Sequence, residues 1–328
     1  MPVLNCDPWR VRFYKDNPCP PDLTIALHDP DAYRMFPRHN WVYNKLLLAE
    51  KQGLDCGPDG ILPTAYPVFC KPIYNLRSMG IGSGRVDSEA ALITAPQPGM
   101  MWSTLLTGDH YSTDIAVQDG VPVWTCHAQG FPMRGGMFDH WIVRQDAVPA
   151  LADYLEAFVR AHFAGFTGVM NFETIGGRII EAHLRYAEQW LDLYGPEFLP
   201  AVYSLFRGTG WREGAMPERT GYSVALFGET RQYTKPGPEF IADLLTTEGV
   251  TGLELPFHEA ESPESHSNPP GGFRLSIING HDLDACRAVR SALADYFAAT
   301  DACATSGGQV NAKPLTDCLV GGRVQTRV

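Results

Sequence analysis

The chain predicts an α+β protein organised around antiparallel sheet, and three stretches carry that reading. Met100–Leu106, Tyr111–Val117 and Val121–His127 alternate or run apolar and are punctuated by Gly108-Asp109 and Asp119-Gly120, the pattern of a meander. Val148, Leu151, Ala152, Leu155, Phe158, Val159 and Phe163 recur at helical spacing before Gly165, which marks one face of an amphipathic helix. Between Phe166 and Arg185, the apolar runs Gly168–Ile175 and Arg178–Leu184 meet at Gly176-Gly177, a strong short-range hairpin signal. With 328 residues, 45% of them hydrophobic and 19% charged, the chain can bury a large core in one elaborate domain or two.

The remaining elements follow in chain order. Residues 1–40 are rich in proline and aromatics, with one strand at Leu23–Leu27 and a turn at His28-Asp29-Pro30-Asp31, too little for an independent domain. Asn40 caps a predicted helix through Trp41–Gln52, which Gly53 ends. A turn at Cys56–Gly60 leads to the short strand Tyr66–Pro72, which ends in Lys71. Ile73–Val86 then gathers Gly80, Gly82 and Gly84 with Ser78 and Ser83. Glycines let backbone N–H groups close on an anion, and Lys71 adds a point charge at the entry. No Gly-Lys-Ser/Thr closes the segment as in a P-loop, and a plain surface loop is the alternative.

Gly130–Asp139 is too glycine-rich for regular structure; Arg134 beside Gly135-Gly136 offers a cation and backbone donors to an oxyanion, or else marks an exposed loop. His162, beside the helix stripe, reads as a packing or surface residue. Further on, a helix is predicted around Ala187–Tyr194, strands at Tyr222–Phe227 and Phe273–Ile278, and helices at Phe240–Leu245 and at Leu283–Phe297, the last capped by Asp282. His258–Gly272 has the composition of a mobile loop, and the tail past Thr300 is expected to be partly ordered.

The hairpin carries acids where a buried sheet should be apolar. Glu181 and His183 are two residues apart and share a face; Glu173 joins them if the connecting loop has three residues rather than two. Adjacent carboxylates repel unless a cation or a shared proton offsets them. Either these acids face water, or they hold a divalent metal, and the glycine-rich segment upstream suggests a nucleotide to accompany it.

Composition narrows the classes. No stretch approaches an uncharged membrane-spanning helix and the N-terminus shows no apolar signal core, so no membrane partner and a cytoplasmic location are expected. The eight cysteines are scattered without C-x-x-C or zinc spacing, which favours reduced thiols; Cys70 and Cys126 read as core residues. A net charge of −11 argues against nucleic acid while leaving room for a small polyanion.

A lysine-ended strand, glycine-rich loop, meander, amphipathic helix and acidic hairpin, in that order, resemble the ATP-grasp superfamily from about Asn40 to Arg185. Lys71-Pro72 followed by Ser78-Met79-Gly80-Ile81-Gly82-Ser83-Gly84 is similar to the family's small-lobe strand and lid, and Lys45 matches its first basic contact to the nucleotide. Leu106–Ser112 is similar to the segment leaving the adenine hinge, with Asp109-His110 where the family has an acidic pair for the ribose. Asn171-Phe172-Glu173 and Glu181-Ala182-His183-Leu184-Arg185 resemble the two metal-binding strands, with His183 in place of asparagine and Leu184 in place of proline.

That resemblance implies two α+β lobes closing on ATP: a reduced N-terminal segment (1–39), a small lobe with the lid (40–99), a large lobe (100–300) and a tail (301–328). It implies an ATP-dependent carboxylate–amine or carboxylate–thiol ligase acting through an acyl phosphate, with a small-molecule kinase or a silent nucleotide-binding protein as alternatives. Lys45, Lys71, Ser78, Gly80, Gly82, Ser83, Gly84, Asp109 and His110 would then hold ATP. Glu173, Glu181 and His183 would bind Mg2+ or Mn2+, and Arg185 and Arg134 would act on the acceptor. His183 is left three roles: touching a phosphate, selecting manganese, or acting from behind the ligands. The implied partners are small-molecule or peptide carboxylates and amines, and a homodimer is left open.

Overall fold

The N-terminal segment is short but well anchored. Strand β1 (Val3–Leu4) pairs in parallel with β2 (Ile25–Ala26), and a 3-10 turn, Pro8–Tyr14, lies between them. The predicted strand therefore contracts to two residues, and the predicted turn at His28–Asp31 instead opens helix α1 (Asp29–Met35), with Pro30 in its first turn where a missing N–H costs nothing. The computed structural model describes residues 3–76, 79–94, 97–144, 148–212 and 219–306.

The helix expected over Trp41–Gln52 is broken. A 3-10 turn, Asn40–Tyr43, precedes helix α2 (Lys45–Lys51), and the cap is Asn44 rather than Asn40: its extended backbone lets the side chain accept from Leu47 N at 3.0 Å, whereas Asn40 Nδ2 donates to Tyr33 O. Cys56–Pro58, read as a turn, is strand β3. Then come β4 (Val68–Pro72), β5 (Gly84–Val86), the short helix α3 (Glu89–Leu92) and β6 (Met100–Thr104). They form a four-stranded antiparallel sheet in the order β3-β6-β4-β5. Gly84 lies in that sheet, paired with Cys70, so the glycine-rich loop proper is shorter than its composition suggested.

The predicted meander is thus divided between two sheets. Its first strand, β6, belongs to the small sheet, while β7 (His110–Gln118) and β8 (Val121–Pro132) start a second one. Strand β8 runs on through Gly130, which was read as irregular; an added Cβ there would fall 2.7 Å from Trp141, so glycine makes room for the neighbouring strand's ring. A 3-10 turn, Arg134–Gly136, leads into β9 (Phe138–Arg144). Helix α4 (Pro149–His162) follows, then β10 (Gly168–Ile175) and β11 (Arg178–His183).

After a 3-10 segment, Glu188–Leu193, where an α-helix was expected, come α5 (Phe198–Phe206), β12 (Gly221–Gly228), α6 (Pro238–Leu244), β13 (Val250–Glu254), β14 (Phe273–Gly280) and α7 (Leu283–Ser306). Asp282 Oδ1 accepts from Ala285 N at the start of α7, as its position predicted. The large sheet is antiparallel throughout, in the order β11-β10-β7-β8-β9-β12-β14-β13. Helix α4 and α2 contribute to one apolar cluster with β7 and the hairpin, the N-terminal segment and α5 to a second, and α7 packs on β12 and β14 in a third. Cys126 is buried in the second cluster and Cys70 is partly exposed; both thiols are free. His162 packs against Trp41 and Phe158. Among the described residues, no helix is long and apolar enough to cross a membrane.

Candidate functional site

The hairpin solves its register in a way the sequence concealed. Its connection has two residues, Gly176 and Gly177, both in the left-handed region (φ +55° and +75°), as a tight I′ turn requires. On that count Glu173 and Glu181 would miss each other. The pairing passes from Thr174↔Ile179 to Glu173↔Glu181, which leaves Ile180 as an extra residue, and this bulge sets the two acids directly opposite. Asn171 stands opposite His183 two positions along, so Asn171, Glu173, Glu181 and His183 share one face.

Two lysines, one from α2 and one from the small sheet, approach the hairpin. Lys45, nearly buried at the start of α2, places Nζ 2.9 Å from Glu181 Oε1. Lys71, on β4 of the small sheet, donates to the carbonyl of Ile180, the bulged residue, at 2.7 Å. Burial pushes the Lys71 ammonium down to about 8 from its ordinary 10.5, with Glu181 opposing and Lys45 adding to the shift. His110 Nε2 lies 3.3 Å from Glu173 Oε2. Burial alone would raise the Glu173 carboxyl, but the His110 hydrogen bond and the charges of His110, His183 and Arg185 bring it down to about 2. Asp109 lies near the hairpin tip, its carbonyl accepting from Gly176 N at 3.0 Å.

Behind the hairpin stands a residue that the sequence reading missed. Asp29, at the first position of α1, takes His183 Nδ1 at 3.0 Å on each carboxylate oxygen, Arg185 Nε at 3.1 Å and Nη2 at 3.2 Å, and the Tyr43 hydroxyl at 3.2 Å. Burial works against its charge, yet Arg185 and His183 hold its carboxyl well below the usual carboxylate range. Arg185 is therefore engaged within the protein rather than free. Asp114, likewise unforeseen, accepts from Asn171 Nδ2, Ala187 N and the Tyr194 hydroxyl; burial raises its carboxyl to about 6. Neither acid sits in a local pattern; each is found only by the long-range contacts it makes.

The glycine-rich loop crosses toward the large sheet. Ser78 lies outside the described residues; Gly80 and Gly82 have positive φ, and Ser83 N donates to Gly80 O. Met79 Sδ accepts from Arg274 Nη2 at 3.1 Å, and its carbonyl lies 4.0 Å from where a Gly136 Cβ would be. Arg134 is exposed on the turn that packs against Gly271, beside this loop but not on the hairpin face. Arg274 is the third residue missed. A register shift in β14 makes Leu275 the extra residue (Leu226↔Ser276, then Phe227↔Arg274). Burial, reinforced by nearby Arg10 and opposed by Glu254, lowers the guanidinium to about 10.

Two carboxylates set opposite each other by a bulge, with Lys45 and Lys71 close by, form an oxygen donor set suited to a divalent cation that brings its own phosphate ligands. Lys45 lies against Glu181 and His110 against Glu173, and Glu173, Glu181 and His183 do not bring three ligand atoms within 4.8 Å of one another. Asp7, His28 and Glu188 do, but Arg10 Nη1 already lies 2.9 Å from Glu188 and 3.7 Å from Asp7 and supplies the positive charge there.

Solved structures share this architecture. An L-amino acid ligase from Bacillus licheniformis superposes with a TM-score of 0.58 at 14% identity, covering 87% of this chain and 82% of that one. The N5-carboxyaminoimidazole ribonucleotide synthetase from Thermus thermophilus gives 0.55 at 18% identity, over 87% and 83%. The Aspergillus clavatus N5-carboxyaminoimidazole synthase, in complex with ADP and 5-aminoimidazole ribonucleotide, gives 0.55 at 12% identity, over 84% and 77%. The chain has the ATP-grasp fold. No family model and no curated protein matches it, so the likeness is one of fold.

Proposed function

We propose that the protein is an ATP-dependent ligase that joins a carboxylate to an amine, or to a thiol, through an acyl phosphate. The observation that carries this reading is Lys71 reaching from the small sheet to the bulge that aligns Glu173 with Glu181. Triphosphate would lie between the sheets, with Lys45 and Lys71 on its phosphates and the loop around Gly80–Ser83 over its end. When bound, Mg2+ or Mn2+ held by Glu173 and Glu181 would offset the charge of the phosphate oxygens. Asp109 and His110, at the start of β7, would face the nucleoside.

The acceptor carboxylate must approach an anion, so it needs a fixed cation of its own. Arg274, which meets the glycine-rich loop at Met79, would supply it, since Asp29 already occupies Arg185; Arg185 and the exposed Arg134 would contribute field rather than a direct clamp. Attack of the carboxylate oxygen on the γ-phosphorus releases ADP. The amine then attacks the acyl carbon, the C–N bond forms, phosphate leaves with the C–O electron pair, and the amine loses a proton. Ligase neighbours of the same fold, among them an amino acid ligase, support a small-molecule acceptor.

The test is ADP release from ATP in the presence of pooled amino acids and small carboxylic acids, with magnesium or manganese and with hydroxylamine as the trap. The proposal expects acid-dependent ADP release, a hydroxamate product, and loss of both in Glu181→Gln. ADP release accompanied by a phosphorylated hydroxyl compound and no hydroxamate would make the protein a kinase instead.

A further inference from the structure

Arg274 is a cation held against a sulfur and an aromatic ring. Its Nη2 donates to Met79 Sδ at 3.1 Å, and its guanidinium carbon lies 5.9 Å from the centre of the Phe227 ring. A thioether sulfur is a weak acceptor, whereas a guanidinium is matched best by a carboxylate taken through two parallel bonds. The backbone beneath is fixed, since Arg274 N donates to Asn268 Oδ1 at 2.7 Å.

The segments that meet around this guanidinium bring apolar side chains. Met137, just before β9, lies across two glycines: a Cβ added to Gly271 would sit 2.9 Å from its Cε, and one added to Gly272 would sit 3.1 Å from its Sδ and 3.4 Å from Phe227 Cβ. Between β4 and β5, the glycine-rich loop presents Met79, 38% exposed, and Ile81, 55% exposed. Met79, Met137 and Phe227 have no strong donor or acceptor. A polar group set among them would give up water without replacement, while each methylene would gain from leaving it.

We infer that the acid this protein activates carries an apolar chain, with its carboxylate on Arg274 and its chain lying against Met79, Met137 and Phe227. The inference rests on the ligase reading above and names the class of its acid. The incoming carboxylate replaces Met79 Sδ at Nη2, and the displaced thioether folds onto the acid's chain. Methionine side chains are flexible and polarisable, so this surface takes straight, branched and aromatic chains alike.

Hydroxamate formation from ATP, magnesium and a set of acids, with hydroxylamine in large excess as the amine, reads the choice of acid. One series is acetate, butyrate, hexanoate and succinate; the other is alanine, leucine, phenylalanine and aspartate. In whichever series turns over, kcat/KM is expected to rise about fourfold per added methylene, and the dicarboxylic acid is expected to fall at least about tenfold below the best apolar one. Met79→Gln and Met137→Gln should each narrow the ratio of largest to smallest apolar acid at least about fivefold. Arg274→Met should raise KM for every acid at least about tenfold and change KM for ATP by less than about twofold. Preference for succinate or aspartate, indifference to chain length, a ratio unchanged in both methionine variants, or an acid KM unmoved in Arg274→Met overturns the inference and leaves the ligase reading standing. No hydroxamate from any acid overturns the ligase reading and the inference with it.

Discussion

Lys71 is a lysine tuned by where its strand ends. With the ammonium at about 8, phosphate binding through its charge should weaken as pH rises through that value. Affinity for ADP is expected to fall by about tenfold between pH 7.5 and 9 in the wild type and to stay nearly flat in Lys71→Arg, as titration calorimetry at several pH values would show. A flat wild-type profile would remove Lys71 from the phosphates. Stability runs the other way: between about 8 and 10.5 the unfolded chain binds a proton that the folded lysine lacks, so the fold gains stability with pH across that window. Glu173 behaves conversely. Its carboxyl, at about 2 in the fold against an ordinary 4.5, contributes stability that is complete above 4.5 and lost as pH falls toward 2. Urea unfolding between pH 5 and 3 should therefore show a shallower acid loss in Glu173→Gln than in the wild type; parallel curves would contradict the His110 pairing.

The hairpin is the element where small local choices have the largest effect. Gly176 and Gly177 are both left-handed, but they are not equivalent. A Cβ on Gly176 would sit 2.2 Å from Thr107 O, in the segment that joins the two sheets, whereas one on Gly177 would meet nothing within 4 Å. Gly176→Ala should cost more than about 2 kcal/mol and Gly177→Ala about 1 kcal/mol or less by chemical denaturation. Equal costs would mean that the hairpin tip does not support the hinge. The turn itself was legible from two adjacent glycines between apolar runs. The bulge at Ile180 was not, because a one-residue slip leaves the apolar pattern on either side almost unchanged while it decides whether two acids meet. In the same way β6 reads as one more strand of a meander; only its pairing with β3 and β4 assigns it to the other sheet.

At the scale of the molecule, the α+β class, helix α4 and the hairpin were readable because each is set by local periodicity and punctuation, whereas β3 and β5, short strands inside turn-like composition, were not. The residues that complete the site were not. Asp29 reaches His183 and Arg185 across more than 150 residues of chain, and Arg274 gains its place from a bulge in β14 and from the tip of the glycine-rich loop. Burial and long-range pairing created these roles, and no spacing in the sequence records them. The two-sheet architecture also makes a prediction of its own. A ligand bound between the sheets should stabilise the fold by about 2.7 kcal/mol at a hundredfold excess over its Kd. It should also slow hydrogen exchange both in residues 79–84 and in the hairpin while leaving α7 unchanged. Protection confined to one sheet would place the ligand elsewhere.

The amine of the small sheet and the acids of the large one are proposed to grip the same nucleotide. Calorimetric titration of ADP with magnesium into the wild type, Lys71→Met and Glu181→Gln tests this most directly. Saturable binding to the wild type, weakened at least tenfold in each variant while their thermal unfolding stays cooperative, is the predicted result. Binding of equal strength in all three, or none to the wild type, would contradict it.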